Sequence, residues 1–192
     1  MNITKPLDHP RRMRRNRAIR QLVQESFFDL NDLICPIFVE ENIEEKVEIK
    51  TLPGIYRYPE KDLAKEVAEL QALGIRYIMP FGISHHKDES GSDTWEENGF
   101  LARMIRTIRQ TAPEMIIIPD ICFCEYTSHG HCGVICDGEV DNDATIENLA
   151  KQAVTAARAG ADILAPSAMM DGQIRAIREA LDAAGFEHVG IL

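Results

Sequence analysis

The feature that most constrains the fold is a regular alternation of short apolar runs with longer amphipathic segments. The apolar runs are rich in isoleucine, leucine and valine, as strands buried on both faces are. Between them, apolar residues recur at helical spacing, and three of these segments end at Gly74, Gly160 and Gly185. The predicted strands are 33–39, 77–83, 115–119, 161–167 and 188–192, and the predicted helices are 60–73, 97–110, 174–185 and one that runs from a cap at Asp143 or Thr145 to Gly160.

This order of elements indicates parallel strands joined by right-handed helical crossovers. A five-stranded doubly wound sheet would be complete at this length, whereas a (β/α)₈ barrel needs eight strands and typically about 250 residues. The pattern alone favours the doubly wound sheet. Two local expectations accompany it. Pro36 lacks an N–H group and predicts that the first strand lies at a sheet edge, and residues 40–59 are expected to form a charged, turn-like connection.

Composition excludes several classes of protein. The chain has 192 residues, of which 45% are hydrophobic and 27% charged, as in a globular domain with a substantial core. A net charge of −10 argues against a general nucleic-acid binder. No apolar run approaches the roughly 20 residues of a membrane span, and no apolar signal core is found. Five cysteines without a secretory signal favour a reduced, cytoplasmic protein that uses thiols to bind metal.

The candidate chemistry follows the third predicted strand, where parallel α/β folds bind ligands. Cys122 and Cys124 are two residues apart, so their thiols face the same side of an extended chain. Gly130 and Gly133 allow a turn that returns Cys132 toward them. Three converging thiolates suit a zinc ion. The alternative is that these are buried thiols that pack as small hydrophobic groups.

The number of ligands separates two kinds of zinc site. Structural zinc usually takes four protein ligands, whereas catalytic zinc takes three and leaves one position open. His129 or His131 could supply a fourth ligand and close the site. The histidine pair at 85–86 could also bind metal, but its polar loop predicts solvated residues. Of the two remaining cysteines, Cys35 lies in an apolar strand and is expected only to pack, and Cys136 has no predicted role.

The N-terminal 25 residues are polar and basic, with six arginines between positions 11 and 20. Three interpretations are open: a solvated arm, a nucleic-acid-binding tail, or an arm that docks on an acidic neighbouring subunit. The sequence alone favours the solvated arm.

Residues 120–133, with the sequence DICFCEYTSHGHCG, resemble the zinc-binding segment of the porphobilinogen synthase (5-aminolevulinate dehydratase) family. Glu125 departs from many members, which have proline there, but it flanks the cysteines without replacing a ligand. The resemblance extends over essentially the whole chain. Four further segments are similar to the family in the same order: 11–15 (RRMRR), 52–57 (LPGIYR), 140–145 (VDNDAT) and 165–172 (APSAMMDG).

The resemblance implies a different fold from the one that the pattern favours. The family fold is the (β/α)₈ TIM barrel, so this α/β chain would be its first half, truncated after about the fifth strand. Residues 1–25 would be an N-terminal arm that makes oligomer contacts, and residues 26–192 a partial barrel that carries the zinc site. The family assembles as a homo-octamer. Its enzymes are cytoplasmic lyases that condense two 5-aminolevulinate molecules to porphobilinogen in haem and tetrapyrrole biosynthesis.

The resemblance also assigns roles to individual residues. Cys122, Cys124 and Cys132 match the zinc ligands. Asp120 matches an active-site carboxylate that moves protons or holds a metal-bound water, and Ser167 matches a residue near the Schiff-base pocket. Without the resemblance, Asp120 would be interpreted as a strand-end cap and Ser167 as a turn hydroxyl.

Family members form Schiff bases through two lysines, and no lysine of this chain matches either of them. We expect those lysines, the lid arginines and the carboxylate of the allosteric magnesium site to lie beyond Leu192. The chain is then expected to be inactive alone. The alternative is a non-enzymatic zinc-binding or assembly fragment. Only Lys87 lies near the carboxyl end of a predicted strand. The lysines are Lys5, Lys46, Lys50, Lys61, Lys65, Lys87 and Lys151.

Overall fold

The structure is a computed structural model that describes residues 9–192. Within this range, strands and helices alternate along most of the chain. The strands are β1 (Cys35–Glu40), β2 (Val47–Glu48), β3 (Tyr56–Pro59), β4 (Tyr77–Ile83), β5 (Ile116–Ile117), β6 (Asp120–Ile121), β7 (Ile135–Cys136), β8 (Glu139–Val140), β9 (Ile163–Pro166) and β10 (Gly190–Ile191). The α-helices are α1 (Arg17–Leu22), α2 (Leu63–Ala72), α3 (Phe100–Thr111), α4 (Asn142–Ala159) and α5 (Gln173–Ala183).

Apart from β3, which pairs parallel with β1 on the side away from β4, the parallel strands lie side by side in the order in which the chain forms them. β1 pairs with β4 and β4 with β5, while β6 pairs with β9 and β9 with β10. A doubly wound sheet reverses its strand order at a switch point between helical crossovers. β1 and β3 are connected without a helix, and no reversal occurs among the parallel strands that helices connect. The preference of the sequence pattern for a doubly wound sheet is therefore wrong. The fold is α/β with a mixed, mainly parallel sheet that resembles the TIM-barrel arrangement.

The third predicted strand is divided into β5 and β6, and it bridges two sheets. Ile118 N donates to Ile78 O of β4 at 2.8 Å, and Pro119 O accepts from Ala165 N of β9 at 3.1 Å. Pro119 has no N–H group and cannot continue the ladder, which accounts for the break between β5 and β6. One short run of chain, β5–β6, therefore joins β1 and β4 to β9 and β10.

β1 is not an edge strand, so the position predicted from Pro36 is wrong. β1 lies between β3 and β4. β3 joins it only from the pair Phe38↔Arg57 onward, whereas Pro36 is paired with Met79 of β4. The proline lies in the part of β1 that β3 does not reach, so its missing N–H group breaks no hydrogen bond to that strand.

The expected turn-like connection at residues 40–59 contains two strands. β2 pairs antiparallel with β3, and β3 pairs parallel with β1. Both strands are short, and the sequence YRYP of β3 has no apolar alternation that a pattern could detect. Their conformation comes from pairing with β1, which is separated from them in the sequence.

The helices are close to their predicted positions, and their apolar faces cover the sheet. α3 buries Leu101, Met104, Ile105 and Ile108 completely or nearly so. α4 ends as predicted at Gly160, whose φ of 111° favours glycine. Its N-cap differs from the prediction, because Asp141 is the residue whose side chain accepts from Ala144 N at 3.0 Å.

Arg109 of α3 ties the amino-terminal ends of two strands together. Its guanidinium lies 2.6 Å from Asp162 Oδ2 and donates to Gly160 O at 2.8 Å. The same Asp162 oxygen accepts from Ile117 N of β5 at 2.7 Å. One ion pair therefore fixes α3, β5 and the chain that enters β9, at the end of the sheet away from the cysteines.

The N-terminal region makes little contact with the rest of the chain. The short 3₁₀ helix Pro10–Arg14 and α1 contain no buried residue. Part of the predicted arm, residues 1–8, lies outside the described residues, so the arm as a whole stays a prediction. Across residues 9–192, none of the helices has the length and apolar character that crossing a bilayer requires.

Candidate metal centre

Three thiols converge just beyond the carboxyl end of β6. The Sγ atoms of Cys122, Cys124 and Cys132 all lie within 4.8 Å of one another. The sulfurs of Cys122 and Cys124 are 3.6 Å apart. In residues 9–192 this is the only group of three or more potential ligands that meets this distance. Cys122 is buried and the other two are half-buried, so the centre is held by the protein and remains accessible.

A tight backbone turn places the second and third cysteines relative to the first. Phe123 is buried in the core, and its carbonyl oxygen accepts from the amides of Tyr126 and Thr127, both at 2.8 Å. Gly130 has a φ of 73°, a conformation that glycine adopts without strain. These two turns reverse the chain after Cys124 and bring Cys132 back to the other thiols.

α4 holds both ends of residues 122–134, which we call the cysteine segment. Gln152 is fully buried and its Nε2 donates to Cys122 O at 3.0 Å. Thr145 Oγ1 accepts from Val134 N at 3.0 Å. A Cβ atom on Gly133 would lie 2.6 Å from that hydroxyl, so glycine is required for this close approach.

The sequence analysis did not identify Gln152 or Thr145 as part of the site. One signal was present, because Gln152 lies next to Ala153 and three residues after Leu149 on an otherwise apolar helix face. A polar residue at such a position usually has a buried hydrogen-bond partner.

Asp120 and Ser167 lie beside the first cysteine, on neighbouring parallel strands. The pair Ile121↔Pro166 sets the register, so the next residues along the strands, Cys122 and Ser167, are adjacent. Burial raises the pKa of Asp120 to about 6, although a hydrogen bond from Ser167 opposes the rise. The structure thus brings together all five residues that the sequence analysis selected.

The three thiols influence one another's ionisation. A hydrogen bond from Cys124 lowers the pKa of Cys122 to about 5, although burial opposes this. The same hydrogen bond raises the pKa of Cys124, and burial followed by the neighbouring Cys122 raises that of Cys132. One thiol therefore ionises readily, and a nearby cation is needed to stabilise three thiolates together. This donor set fits a thiolate-binding metal ion.

The structure does not place a histidine with the thiols. His129 Nδ1 accepts from His131 N at 3.1 Å, and Nε2 lies 3.1 Å from Glu89 O. Both ring nitrogens of His129 are thus engaged elsewhere. No nitrogen of either histidine joins the group of three sulfurs. Neither His129 nor His131 therefore supplies the fourth ligand that the sequence left open. Among the described residues, the centre has three protein ligands.

The histidines after β4 are loop residues, as predicted. His85 and His86 have side chains that are 40% and 71% exposed, and they lie near Glu40 and Glu41 at 3.1 and 3.6 Å. Glu41 also accepts from Arg103 Nη2 at 2.7 Å. Burial alone would raise the pKa of Glu41, but hydrogen bonds from the His85 amide and Arg103 lower it.

Lys87 borders an open cavity of 610 Å³ next to the cysteine segment. Glu125, directly after Cys124, forms part of its wall, as do Arg57 and Ile83. The cavity therefore lies on the same carboxyl-end side of the sheet as the thiols.

The fold and the site define an α/β protein that has a three-cysteine centre, able to hold a metal ion, at the carboxyl end of parallel strands. The family model described as "Delta-aminolevulinic acid dehydratase" matches residues 7–192. The chain belongs to the delta-aminolevulinic acid dehydratase family, whose enzymes are also called porphobilinogen synthases.

Individual relatives agree with this assignment. The chain is 57% identical over 190 residues to "Delta-aminolevulinic acid dehydratase" of Escherichia coli K12, covering 99% of this chain and 59% of that protein. It is 43% identical over 186 residues to the protein of the same name from Ruminiclostridium josui, covering 97% of this chain and 91% of that one.

A solved structure gives the same result. The chain superposes with a TM-score of 0.91 and 40% identity on the Toxoplasma gondii ME49 enzyme in complex with its product, porphobilinogen. The match covers 97% of this chain and 54% of that one. The chain thus spans little more than half the length of the Escherichia coli and Toxoplasma gondii proteins that it matches.

Proposed function

We propose that this chain supplies the metal-binding part of a porphobilinogen synthase, a lyase that condenses two molecules of 5-aminolevulinate to porphobilinogen. The observation that carries the proposal is the convergence of three thiols beside Asp120 and Ser167, in a chain of this family. Reduced thiols, a half-buried carboxylate and a hydroxyl at the carboxyl end of parallel strands make up a site for chemistry rather than a packed core.

Zinc is the ion that we propose for the centre. Three cysteine ligands within 4.8 Å suit zinc, and a three-ligand site leaves a position for water or substrate. Cys122, Cys124 and Cys132 would hold the ion. When bound, zinc supplies Lewis-acid chemistry at that open position. Magnesium would act separately, as an allosteric ion at a site outside this chain.

Asp120 is the residue proposed to accept or donate protons. It lies one strand position before Ile121 and two before Cys122, so its carboxylate faces the same side of the extended chain as the first thiol. Ser167, on the neighbouring strand, hydrogen-bonds to it. The serine hydroxyl is therefore placed to orient the carboxylate oxygen that exchanges the proton.

The parallel strands fit the first part of an eight-stranded barrel. In this proposal β1, β4, the β5–β6 run, β9 and β10 are the first five barrel strands, because they are adjacent in chain order. Residues 26–192 form the partial barrel with the metal centre, and residues 1–25 form an arm. In this proposal, none of the seven lysines of this chain forms a Schiff base with the substrate.

Assembly and location follow from the same proposal. The substrate is 5-aminolevulinate, and the arm joins subunits into a homo-octamer. The clustered arginines of the arm complement the acidic remainder of the chain, since the net charge is −10. The five cysteines, all free in the structure, are consistent with a reducing cytoplasm.

The test measures porphobilinogen formation by the full-length protein under reducing conditions. A chelator should abolish activity, and added zinc should restore it. Cys124→Ser should lower activity strongly and prevent the restoration. Cys136→Ser, which changes an exposed cysteine in the same region, serves as the matched control and should behave like the wild type. Full activity of Cys124→Ser would contradict the proposal.

A further inference from the structure

A turn outside the cysteine segment is closed by a single carboxylate. It is formed by residues 88–92, which follow β4, and we call it the 88–92 turn. Asp88 Oδ1 accepts from the amides of Ser90 at 2.8 Å and Ser92 at 3.1 Å, and the Ser92 hydroxyl donates to Oδ2. Burial would raise the pKa of Asp88, but these hydrogen bonds lower it to about 2. The carboxylate is thus an acceptor that determines the conformation of the turn.

The backbone of this turn holds the chain that leads to the third cysteine. Asp88 O accepts from Ser128 N at 2.8 Å, and Asp88 and Thr127 form a parallel β-bridge. One residue further along, Glu89 O accepts from His129 Nε2 at 3.1 Å. Three consecutive residues of the cysteine segment therefore depend on two carbonyl groups of the turn and on the bridge.

The held residues continue directly into Cys132. Thr127 is buried, and its Oγ1 donates to His131 O at 2.8 Å. His131 N donates to His129 Nδ1 at 3.1 Å. The chain from 127 to 131 is thus tied internally, and the residue after it carries the third thiol.

The same turn packs on the residue between the first two cysteines. Gly91 has a φ of 69°, and a Cβ atom there would lie 3.0 Å from Phe123 Cδ1. Phe123 separates Cys122 from Cys124, and its ring packs edge-on to Trp95 with centroids 6.0 Å apart. The 88–92 turn therefore contacts the residue between the first two cysteines as well as the chain that leads to the third.

We propose that Asp88 is a positioning residue for the metal centre, because its carboxylate closes the turn that keeps the thiol of Cys132 beside the other two. Seven residues separate Cys124 from Cys132. If the turn opens, metal binding must itself order this loop, and the free energy of ordering weakens the observed affinity. The inference rests on the proposed zinc function.

The test uses Asp88→Ala and Asp88→Asn in the full-length protein. Zinc affinity is measured by competition with a chromophoric chelator, and cobalt substitution reports thiolate coordination through its charge-transfer absorption. Asp88→Ala should weaken zinc binding by roughly tenfold to a hundredfold, as loss of an outer partner of a metal ligand does. Its absorption per bound cobalt should fall toward that of Cys132→Ser. Asp88→Asn keeps an oxygen that can accept from Ser90, so it should recover part of the affinity.

Asp93→Asn is the matched control. Asp93 lies on the same connection and accepts from Phe100 N at 3.1 Å, at the start of α3. Zinc affinity should stay near the wild-type value. Ser92→Ala removes only the hydroxyl donor and provides a second, milder variant, whose zinc affinity should fall by several-fold.

The outcomes separate this inference from the function on which it rests. If wild type shows the three-thiolate cobalt spectrum and Asp88→Ala keeps the same affinity and spectrum, the positioning role is wrong and the proposed metal centre stands. If wild type shows no thiolate absorption, the zinc proposal itself fails. If Asp88→Ala does not fold, unchanged zinc affinity in Ser92→Ala overturns the positioning role.

Discussion

The side-chain amide of Gln152 donates a 3.0 Å hydrogen bond to the carbonyl oxygen of Cys122, from the middle of α4 to the first residue after β6. Both residues are buried. The bond fixes the backbone from which the first thiol projects, so the position of the metal centre depends on how α4 packs against the sheet.

Replacing Gln152 by leucine tests this dependence. The Cys122 carbonyl would lose a buried partner, so we expect the free energy of unfolding to fall by about 1–3 kcal/mol. Zinc affinity should fall with it. Urea unfolding and chelator competition are the measurements. Glu147→Ala, an exposed change on the same helix, should alter neither, and equal effects of the two variants would contradict the role of Gln152.

Removal of the third thiol should remove the metal. Reduced wild-type protein should contain about one zinc per chain, and Cys132→Ala should contain little, because catalytic zinc sites have three protein ligands. Metal analysis after gel filtration provides the measurement. Cys136→Ala is the control, since that thiol is exposed and outside the group of three. Full zinc content in Cys132→Ala would exclude the proposed coordination.

Asp120→Asn keeps the size of the side chain but removes its ability to carry a proton. In the full-length protein kcat should fall by about 10²–10⁴-fold, the usual contribution of general acid–base catalysis. Bound zinc should be unchanged, because Asp120 is not among the three ligands. Ser167→Ala should have a smaller effect, on the order of tenfold, for loss of one hydrogen bond. Loss of zinc from Asp120→Asn would assign the carboxylate to metal binding instead.

The Arg109–Asp162 pair should affect stability without affecting the metal. The two side chains are 30% and 33% exposed, and Asp162 also accepts from the Ile117 amide. Arg109→Ala should lower the free energy of unfolding by about 2 kcal/mol, the range for hydrogen bonds to charged groups. Thermal or urea unfolding measures it. Lys65→Ala breaks an exposed pair with Glu69 at 3.9 Å and should change stability by less than about 0.5 kcal/mol.

The low pKa of Asp88 predicts a stability that depends on acid. Because its pKa falls from 3.8 to about 2 on folding, the ionised group stabilises the fold above pH 3.8, and this contribution disappears as the pH falls toward 2. Since Asp88 is exposed, solvent screening limits the effect to about 1 kcal/mol. In zinc-free protein, the difference in unfolding free energy between wild type and Asp88→Asn should be constant above pH 5 and shrink below pH 4. A difference independent of pH would show that the carboxylate charge does not contribute.

Local sequence patterns were sufficient for much of the fold. Helix periodicity and the glycine at 160 predicted α4 to within a few residues, because both depend on neighbours within one or two turns. The pairing of Cys122 with Cys124 followed from the two-residue period of extended chain. The convergence of Cys132 was also predicted, since the turn that returns it uses glycines visible in the sequence.

The order of the strands could not be obtained in the same way. The pattern favoured a doubly wound sheet, and Pro36 predicted an edge strand. Instead, β1 lies between β3 and β4, and the parallel strands that helices connect follow chain order. Strand pairing joins residues far apart in the sequence, and no local period specifies which strands will meet. β2 and β3 were missed for the same reason, because their pairing with one another and with β1 defines them.

The sequence by itself determined the residues of the proposed metal centre and the family to which the chain belongs, because ligand identity and spacing are properties of the chain. Only the tertiary structure decided what holds that centre in place. Asp88 and Gln152 are 34 and 30 positions from Cys122, and nothing in the local sequence connects them to it. They support the thiols because the 88–92 turn pairs with the chain at Thr127 and Ser128 and α4 packs against β6, which brings both sets of hydrogen bonds to the cysteine segment.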